Sequence, residues 1–375
     1  MKEEKHNLEK IIADWDKEDK LARENDTKFT LLEQLKNFSI TGQSGELMAR
    51  MASEVFVMKD IAISGQWTTI YGAPNTGKTL LTLWMLFEQI ENFEISGSNI
   101  FYVNADDNNK GYVTKTKIAE KENIEMLVPN ENGFTIDHVI SFMQRLAKSG
   151  EAKGIVFILD TLKKFTDLMD KRAASSFGNF AREFVSSGGS LICLAHTNKH
   201  KNSDGKGVYS GTSDIVDDCD CVFVIDKISE TGSVLNKVHK VEFTNIKSRG
   251  NVASKIGFSY ETFIDCHYLD LLASVKRIGE GELEKSKKDQ KFKKDLEDDD
   301  SIISRINEAI KVGIETKIKI IEYVHETMDV SKSKIKNVLE KRTGEEHALG
   351  YRWNYEIKDH NTYVYSLLPM RSHSK

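Results

Sequence analysis

The chain has 375 residues, 39% of them apolar and 30% charged, and 58 acidic against 53 basic side chains leave a net charge of −5. That length and apolar fraction suit one large packed domain with smaller attachments. The acidic balance excludes a protein-wide electrostatic grip on nucleic acid, so any such contact must come from local basic patches. No apolar run is long enough to cross a bilayer, and the opening Met1-Lys2-Glu3-Glu4-Lys5 leads into no apolar core, so neither a membrane contact nor a signal peptide is expected. Cys193, Cys219, Cys221 and Cys266 lack zinc-ligand spacing and read as reduced thiols, which makes the cytoplasm the expected compartment.

Residues 1–38 read as a charged helical arm, with Leu8, Ile11, Ile12, Trp15 and Leu21 near helical spacing. The arm is a solvated lead-in helix or a segment that docks on a neighbouring subunit. Residues 39–275 form the main domain. Its first strong signal is Trp67-Thr68-Thr69-Ile70-Tyr71, a β-rich run, followed by Gly72-Ala73-Pro74-Asn75-Thr76-Gly77-Lys78-Thr79. The octet fits G-x-x-x-x-G-K-[ST], and the apolar stretch from Leu80 to Phe87 after it has the character of a buried helix. Strand, glycine loop and helix are the order a phosphate-binding loop requires. Glycines let backbone amides approach phosphate oxygens, and those amides form an anion nest at a helix start. The nucleotide-binding stretch therefore runs from Gly72 through Leu80. Lys78 is placed to reach the β- and γ-phosphates of ATP, and the Thr79 hydroxyl to ligate Mg²⁺.

Apolar runs at 99–103, 155–159 and 191–195 then alternate with helical patterns at 135–148 and 173–186. Continuous apolar strands with helical crossovers predict an α/β fold with a parallel sheet covered on both faces. After Asp218, the stretches 219–228, 237–246, 255–260 and 267–272 are strand-like with short connections, as in antiparallel additions to the sheet. Residues 276–300 are almost all Lys, Glu and Asp and read as a flexible linker, or alternatively as a charged helix that spaces two domains. Residues 301–375 form a small second domain. Helical patterns at 302–312, 318–328 and 332–341 precede a hairpin of 351–357 and 362–368, the layout of a winged helix. Lys332, Lys334, Lys336, Lys341 and Arg342 line the second helix of a helix-turn-helix suited to phosphate contact; otherwise they form a solvated face on a protein-binding module.

Phosphoryl transfer to water needs a phosphate cradle, a held Mg²⁺, a polarised water and positive charge on the departing phosphate. Asp160 ends the apolar run 155–159, the Walker B pattern of a carboxylate that holds Mg²⁺ through water. Thr161 follows it, where many molecular-machine ATPases carry Glu, so the base is sought in Asn104-Ala105-Asp106-Asp107 at the end of the preceding strand.

The glycine loop, that acidic strand end, the Asp160 strand without a second acid, and Ala195-His196-Thr197-Asn198-Lys199 together resemble the RecA-like ATPases. Within them the chain is most similar, over residues 39–272, to the RepA-type hexameric replicative helicases of plasmids and phages. The resemblance implies a RecA-like P-loop ATPase core that uses ATP and Mg²⁺, a homo-hexameric ring, single-stranded DNA as partner and a replication or loader protein beside it. It puts Asp106 in the place of the catalytic glutamate, one methylene shorter, with the register open between Asp106 and Asp107. It makes His196 the polar sensor of the γ-phosphate. It turns the basic loop carrying Lys199, Lys201 and Lys206 toward a central channel, where these lysines follow the DNA backbone. It matches Lys247 and Arg249 to a Lys-x-Arg pair that reaches the neighbouring subunit's γ-phosphate, a contribution of ~10³–10⁵ in rate. The implied function is an ATP-driven motor that unwinds duplex DNA in replication. The competing readings are an ATP-switched DNA-binding replication or regulatory factor without helicase activity, and a filament-forming recombination ATPase.

Overall fold

In the computed structural model, residues 30–46, 48, 54–107, 109–201, 207–209, 213–233 and 235–369 are described. The chain divides into two units, Met1–Val55 and Phe56–Lys375. In the first, helix α1 (Leu31–Asn37) begins at Thr30. The Thr30 hydroxyl accepts from the Glu33 amide, and the Glu33 carboxylate accepts from the Thr30 amide at 2.7 Å, a reciprocal cap for donors a helix start leaves open. The arm positions Leu8 to Leu21 lie outside the described residues.

The second unit opens with a short hairpin of β1 (Phe56–Met58) and β2 (Ala62–Ile63). Its main sheet is built from β3 (Trp67–Gly72), β4 (Ile100–Asn104), β5 (Glu125–Leu127), β6 (Val156–Asp160), β7 (Ser190–Lys201), β8 (Gly207–Tyr209), β9 (Cys221–Gly232), β10 (Asn236–Ser248), β11 (Lys255–Phe263) and β12 (Lys276–Ile278). The strand order is β12-β11-β10-β9-β3-β7-β6-β4-β5, with β8 paired to β7. From β9 to β5 the neighbours are parallel, whereas β10, β11 and β12 are antiparallel additions. The strand ending in Asp160 is separated from the glycine-loop strand by β7, which is the RecA-like order.

Both β3 and β6 are buried along their whole length, as strands covered on two faces must be. Successive side chains point to opposite faces. Trp67, Tyr71, Phe157 and Leu159 enter one core, with Val139 and Met143 of α4 (Ile136–Ser149), Phe177 and Phe184 of α5 (Lys171–Ser186) and Ile215 of α6 (Ser213–Asp218). Ile70 and Ile158 enter the other, with Leu81 and Met85 of α2 (Lys78–Glu91) and Ile118 of α3 (Asn109–Ala119). Cys193, Cys219 and Cys221 are buried thiols outside any disulfide and Cys266 is half-buried; desolvation pushes the Cys193 thiol up to about 12. Among the described residues no helix is long and apolar enough to cross a membrane.

Residues 267–272 are not a strand. His267 caps helix α7 (Tyr268–Ser274) and the rest lie in it, because Tyr268, Leu271, Leu272 and Val275 recur at helical spacing and turn together onto the sheet core. Nor are residues 276–300 a flexible linker. After β12 the chain enters α8 (Glu280–Lys311), one helix of 32 residues and about 48 Å, so the charged-helix alternative is the one that forms. Tertiary contacts hold it: Leu283 is buried, Lys287 donates at 2.6 Å to the Glu242 carboxylate, whose side chain is only 4% exposed, and Lys240 pairs with Glu282 at 2.8 Å.

The far half of α8 supplies Ile302, Ile303, Ile306 and Ile310 to a separate core. It is completed by Ile320 and Val324 of α9 (Lys317–Thr327), Ile335, Val338 and Leu339 of α10 (Lys332–Lys341), Trp353 of β13 (Trp353–Lys358) and Tyr365 of β14 (Thr362–Leu367). Thr316, between α8 and α9, bridges to Val364 on β14. With Ile335, Val338 and Leu339 turned inward, Lys332, Lys334 and Lys336 stand on the exposed face of α10. Lys341 and Arg342 do not join that face. Arg342 is 3% exposed and donates to the Asp299 carboxylate at 2.6 Å and the Asp295 carbonyl at 2.8 Å. Lys341 pairs with Asp295 and Asp299 at 3.2 Å each. The last turn of α10 meets the acidic stretch of α8, so these two cations fasten helices together instead of facing a phosphate chain.

Candidate nucleotide site

The glycine loop lies at the carboxyl end of β3. Gly72 pairs with His196 on β7 and with Ile225 on β9, and a Cβ there would sit 2.2 Å from the Ile225 side chain, so only glycine fits. Asn75 and Gly77 take left-handed backbone angles, with φ of 61° and 85°, which turn successive amides toward one side as an anion nest requires. Thr76 donates to the Ala73 carbonyl at 2.8 Å and closes the turn. At the start of α2, the Lys78 ammonium donates to the carbonyls of Gly72 at 2.8 Å and Ala73 at 3.0 Å. Burial pulls its pKa down to about 8, against the opposing attraction of Asp160 and Asp106.

Thr79 and Asp160 meet across the crevice. One Asp160 oxygen accepts from the Thr79 hydroxyl at 2.7 Å and from the Tyr102 phenol at 2.7 Å. Tyr102 is fully buried on β4, and burial next to Asp160 raises its pKa so that it stays a donor. Sequence alone reads Tyr102 as one more apolar strand position; its partnership with Asp160 depends on β4 and β6 being register neighbours, with Asn104 opposite Asp160.

Two residues beyond Asn104, the adjacent carboxylates part company. Asp107 accepts from Asn104 at 2.9 Å and from Lys115 on α3, and is occupied by its own helix. Asp106 turns the other way, with one oxygen 3.8 Å from His196 Nε2 and the other 3.6 Å from Lys163 Nζ. Of the two, Asp106 is the one that faces His196 and Lys163. His196 is held neutral near pH 7: burial lowers its pKa, Lys78 and Lys163 lower it further, and Asp106 only partly opposes them. The strand order β3-β7-β6-β4 sets Lys78, His196, Asp160 with Lys163, and Asp106 in a row along the carboxyl ends of the sheet. Lys163 is the member of that row that motif reading passed over.

Lys247 and Arg249 lie elsewhere. Ser248 pairs with Cys221, which pairs with Thr68, four residues before Gly72 on β3. At roughly 3.3 Å per residue that is about 13 Å down the sheet, at the edge opposite the glycine loop. Lys247 donates to the carbonyls of Val216, at 2.8 Å, and Asp217 in the last turn of α6. Arg249 is half exposed, 3.5 Å from Asp220 and 3.4 Å from the Asp217 carbonyl. Neither faces its own chain's Lys78. The basic segment after His196 is less of a loop than expected: β7 continues through Lys199 to Lys201 and pairs antiparallel with β8. Lys206 lies outside the described residues.

The donor set fits Mg²⁺. Thr79 and Asp160 offer two hard oxygens side by side, 2.7 Å apart, where α2 begins after the glycine loop. Among the described residues no cluster of three or more His, Cys, Asp or Glu could hold a metal by itself. That suits an ion bound by one or two protein oxygens and substrate phosphates rather than by a protein cage.

Fold and site together define a P-loop nucleotide-binding core with a RecA-like sheet. No protein-family model matches the chain. No curated protein matches it. Among solved structures, the crystal structure of a KaiC-like protein from the hyperthermophilic archaeon Pyrococcus horikoshii OT3 is similar over 58% of this chain and 91% of its own, at 13% identity and a TM-score of 0.39.

Proposed function

We propose that the chain is an ATP-hydrolysing RecA-like motor that assembles as a homo-hexameric ring, binds single-stranded DNA and unwinds duplex DNA in replication. The observation that carries this reading is Asp106, which faces His196 and the Lys78 loop while its neighbour Asp107 is tied to α3. The loop amides receive the β- and γ-phosphates, and Lys78 exchanges the Gly72 and Ala73 carbonyls for phosphate oxygens. Thr79 and Asp160 would hold a Mg²⁺, which would supply neutralisation of the phosphate charge. Asp106 accepts the proton of a water whose oxygen bonds to the γ-phosphorus as the bond to the bridging oxygen breaks, leaving ADP and phosphate. Neutral His196 donates a hydrogen bond within the same group.

Lys247 and Arg249 stand too far down the sheet to serve their own Lys78; on leaving their contacts with Val216, Asp217 and Asp220 they reach the next subunit, so the complete site forms between copies. The β7–β8 ribbon continues the strand that carries His196. DNA on Lys199 and Lys201 is thereby coupled to phosphate sensing through one strand. The order helix, bridge at Thr316, two helices and hairpin supports a winged-helix reading of the C-terminal part, with Lys332, Lys334 and Lys336 toward DNA. That basic face also favours the second reading, an ATP-switched DNA-binding factor without helicase activity. The deciding measurement is the ATPase rate with and without single-stranded DNA, with Lys78→Ala as control. Stimulation of several-fold supports the motor, and a low, DNA-indifferent rate with intact ATP binding supports the switch. Turnover unchanged in Lys78→Ala overturns both.

A further inference from the structure

Lys163 belongs to none of the motifs, yet it stands in the middle of the row at the carboxyl ends of the sheet. Its backbone is fixed: Thr161 donates to the Leu194 carbonyl at 2.7 Å, and Leu162 and Phe165 on either side are buried. Its side chain is not fixed, being 48% exposed with Nζ 3.6 Å from Asp106, beyond ordinary hydrogen-bond length. It is close enough to lower the pKa of both Lys78 and His196. A firmly anchored stem with a loosely held ammonium, between the glycine loop and the candidate base, is an arrangement for gripping an anion that arrives there.

We propose that Lys163 is a ligand of the nucleotide's γ-phosphate supplied by the same chain, parked against Asp106 until a triphosphate enters. The inference rests on the nucleotide reading given above. A γ-phosphate presents more charge, and more oxygens in range, than the single Asp106 carboxylate, so it draws the ammonium away. That transfer releases Asp106 from its counter-ion at the moment it is needed as base. A diphosphate ends one phosphate short of this position, so Lys163 separates ATP from ADP. Lys78 and the loop amides grip both, because they hold the β-phosphate as well.

The plainer alternative is a surface ion pair that only steadies two strand ends. The two accounts differ in a measurement that needs no turnover: calorimetric binding, with Mg²⁺, of ADP and of the non-hydrolysable triphosphate AMP-PNP to the full chain. In Lys163→Ala, AMP-PNP binding is expected to weaken about tenfold while ADP binding stays within about twofold. Lys163→Arg is expected to recover most of the difference. Unchanged ADP affinity also shows that the variant is folded. Equal losses for both nucleotides, or no loss for either, overturn the proposal. Failure of the wild-type chain to bind either nucleotide instead overturns the nucleotide reading beneath it.

Discussion

Lys78 is the residue the site depends on most, and the structure assigns it a cost. The residue is 8% exposed, and burial lowers its pKa from 10.5 to about 8. The native state thus holds the proton less tightly than the unfolded chain does. Below pH 8 both states are protonated, and the full penalty of burying an ammonium is present. Between pH 8 and 10.5 the native state releases the proton while the unfolded state keeps it, so this group makes stability rise with pH. At about 1.36 kcal/mol per pKa unit, the fall from 10.5 to about 8 corresponds to about 3 kcal/mol. Lys78→Met keeps the volume and removes the charge. In nucleotide-free protein the variant is expected to be more stable than wild type at pH 7 by up to about 3 kcal/mol. That advantage shrinks by about 2 kcal/mol by pH 9.5. The assay is urea unfolding of both proteins at the two pH values, beside an ATPase measurement in which the variant loses turnover by ~10² or more. A variant less stable than wild type at pH 7, with a gap that does not change with pH, would refute the assignment of a strained, desolvated lysine.

Asp106→Asn is expected to lower ATP turnover by ~10²–10⁴ while nucleotide binding persists, whereas Asp107→Asn, which loosens α3 through Lys115 and Asn104, lowers turnover far less; steady-state kinetics on both variants checks the choice. Tyr102→Phe leaves Asp160 with one donor fewer and is expected to weaken Mg²⁺ affinity by ~10–100-fold, read from the Mg²⁺ dependence of nucleotide binding. Arg342→Met removes the shorter of the two ion pairs on the buried Asp299, leaving it Lys341 alone, and is expected to cost about 2 kcal/mol, most of which the added change Asp299→Leu restores; chemical unfolding of the single and double variants is the check. Replacing Lys332, Lys334 and Lys336 by Gln is expected to flatten the salt dependence of duplex binding by about 2.7 in log–log slope, and an unchanged slope would make α10 a protein-facing surface.

The core was legible because its signals are local. The octet from Gly72 to Thr79 needs no distant partner to be recognised, and unbroken apolar runs announce strands covered on both sides. The misses required knowledge of what each side chain meets. Asp106 and Asp107 are the same residue type one position apart, and only α3, by supplying Lys115, decides which one is left for the crevice. Lys341 and Arg342 have the composition of a DNA-facing patch until Asp295 and Asp299 are set opposite them. Residues 267–272 form too short a stretch for period two to be told from period 3.6. The stretch 276–300 has a disordered chain's composition, but Glu242 and the groove that takes Leu283 lie on strands that no local window includes.

The single helix from Glu280 to Lys311 makes residue number into an angle. Leu283 and Lys287 fix its phase against the sheet, and Ile302 to Ile310 fix its phase against the C-terminal core. Each residue between those anchors advances the screw by about 100° and 1.5 Å. One residue added near Phe292 would swing the lysine face of α10 more than a quarter-turn around the rod. Seven added together would return it close to its original bearing, displaced by about 10 Å along the axis. The stretch that looks most like filler in the sequence therefore works as an indexing shaft, its length setting the direction in which the basic helix points.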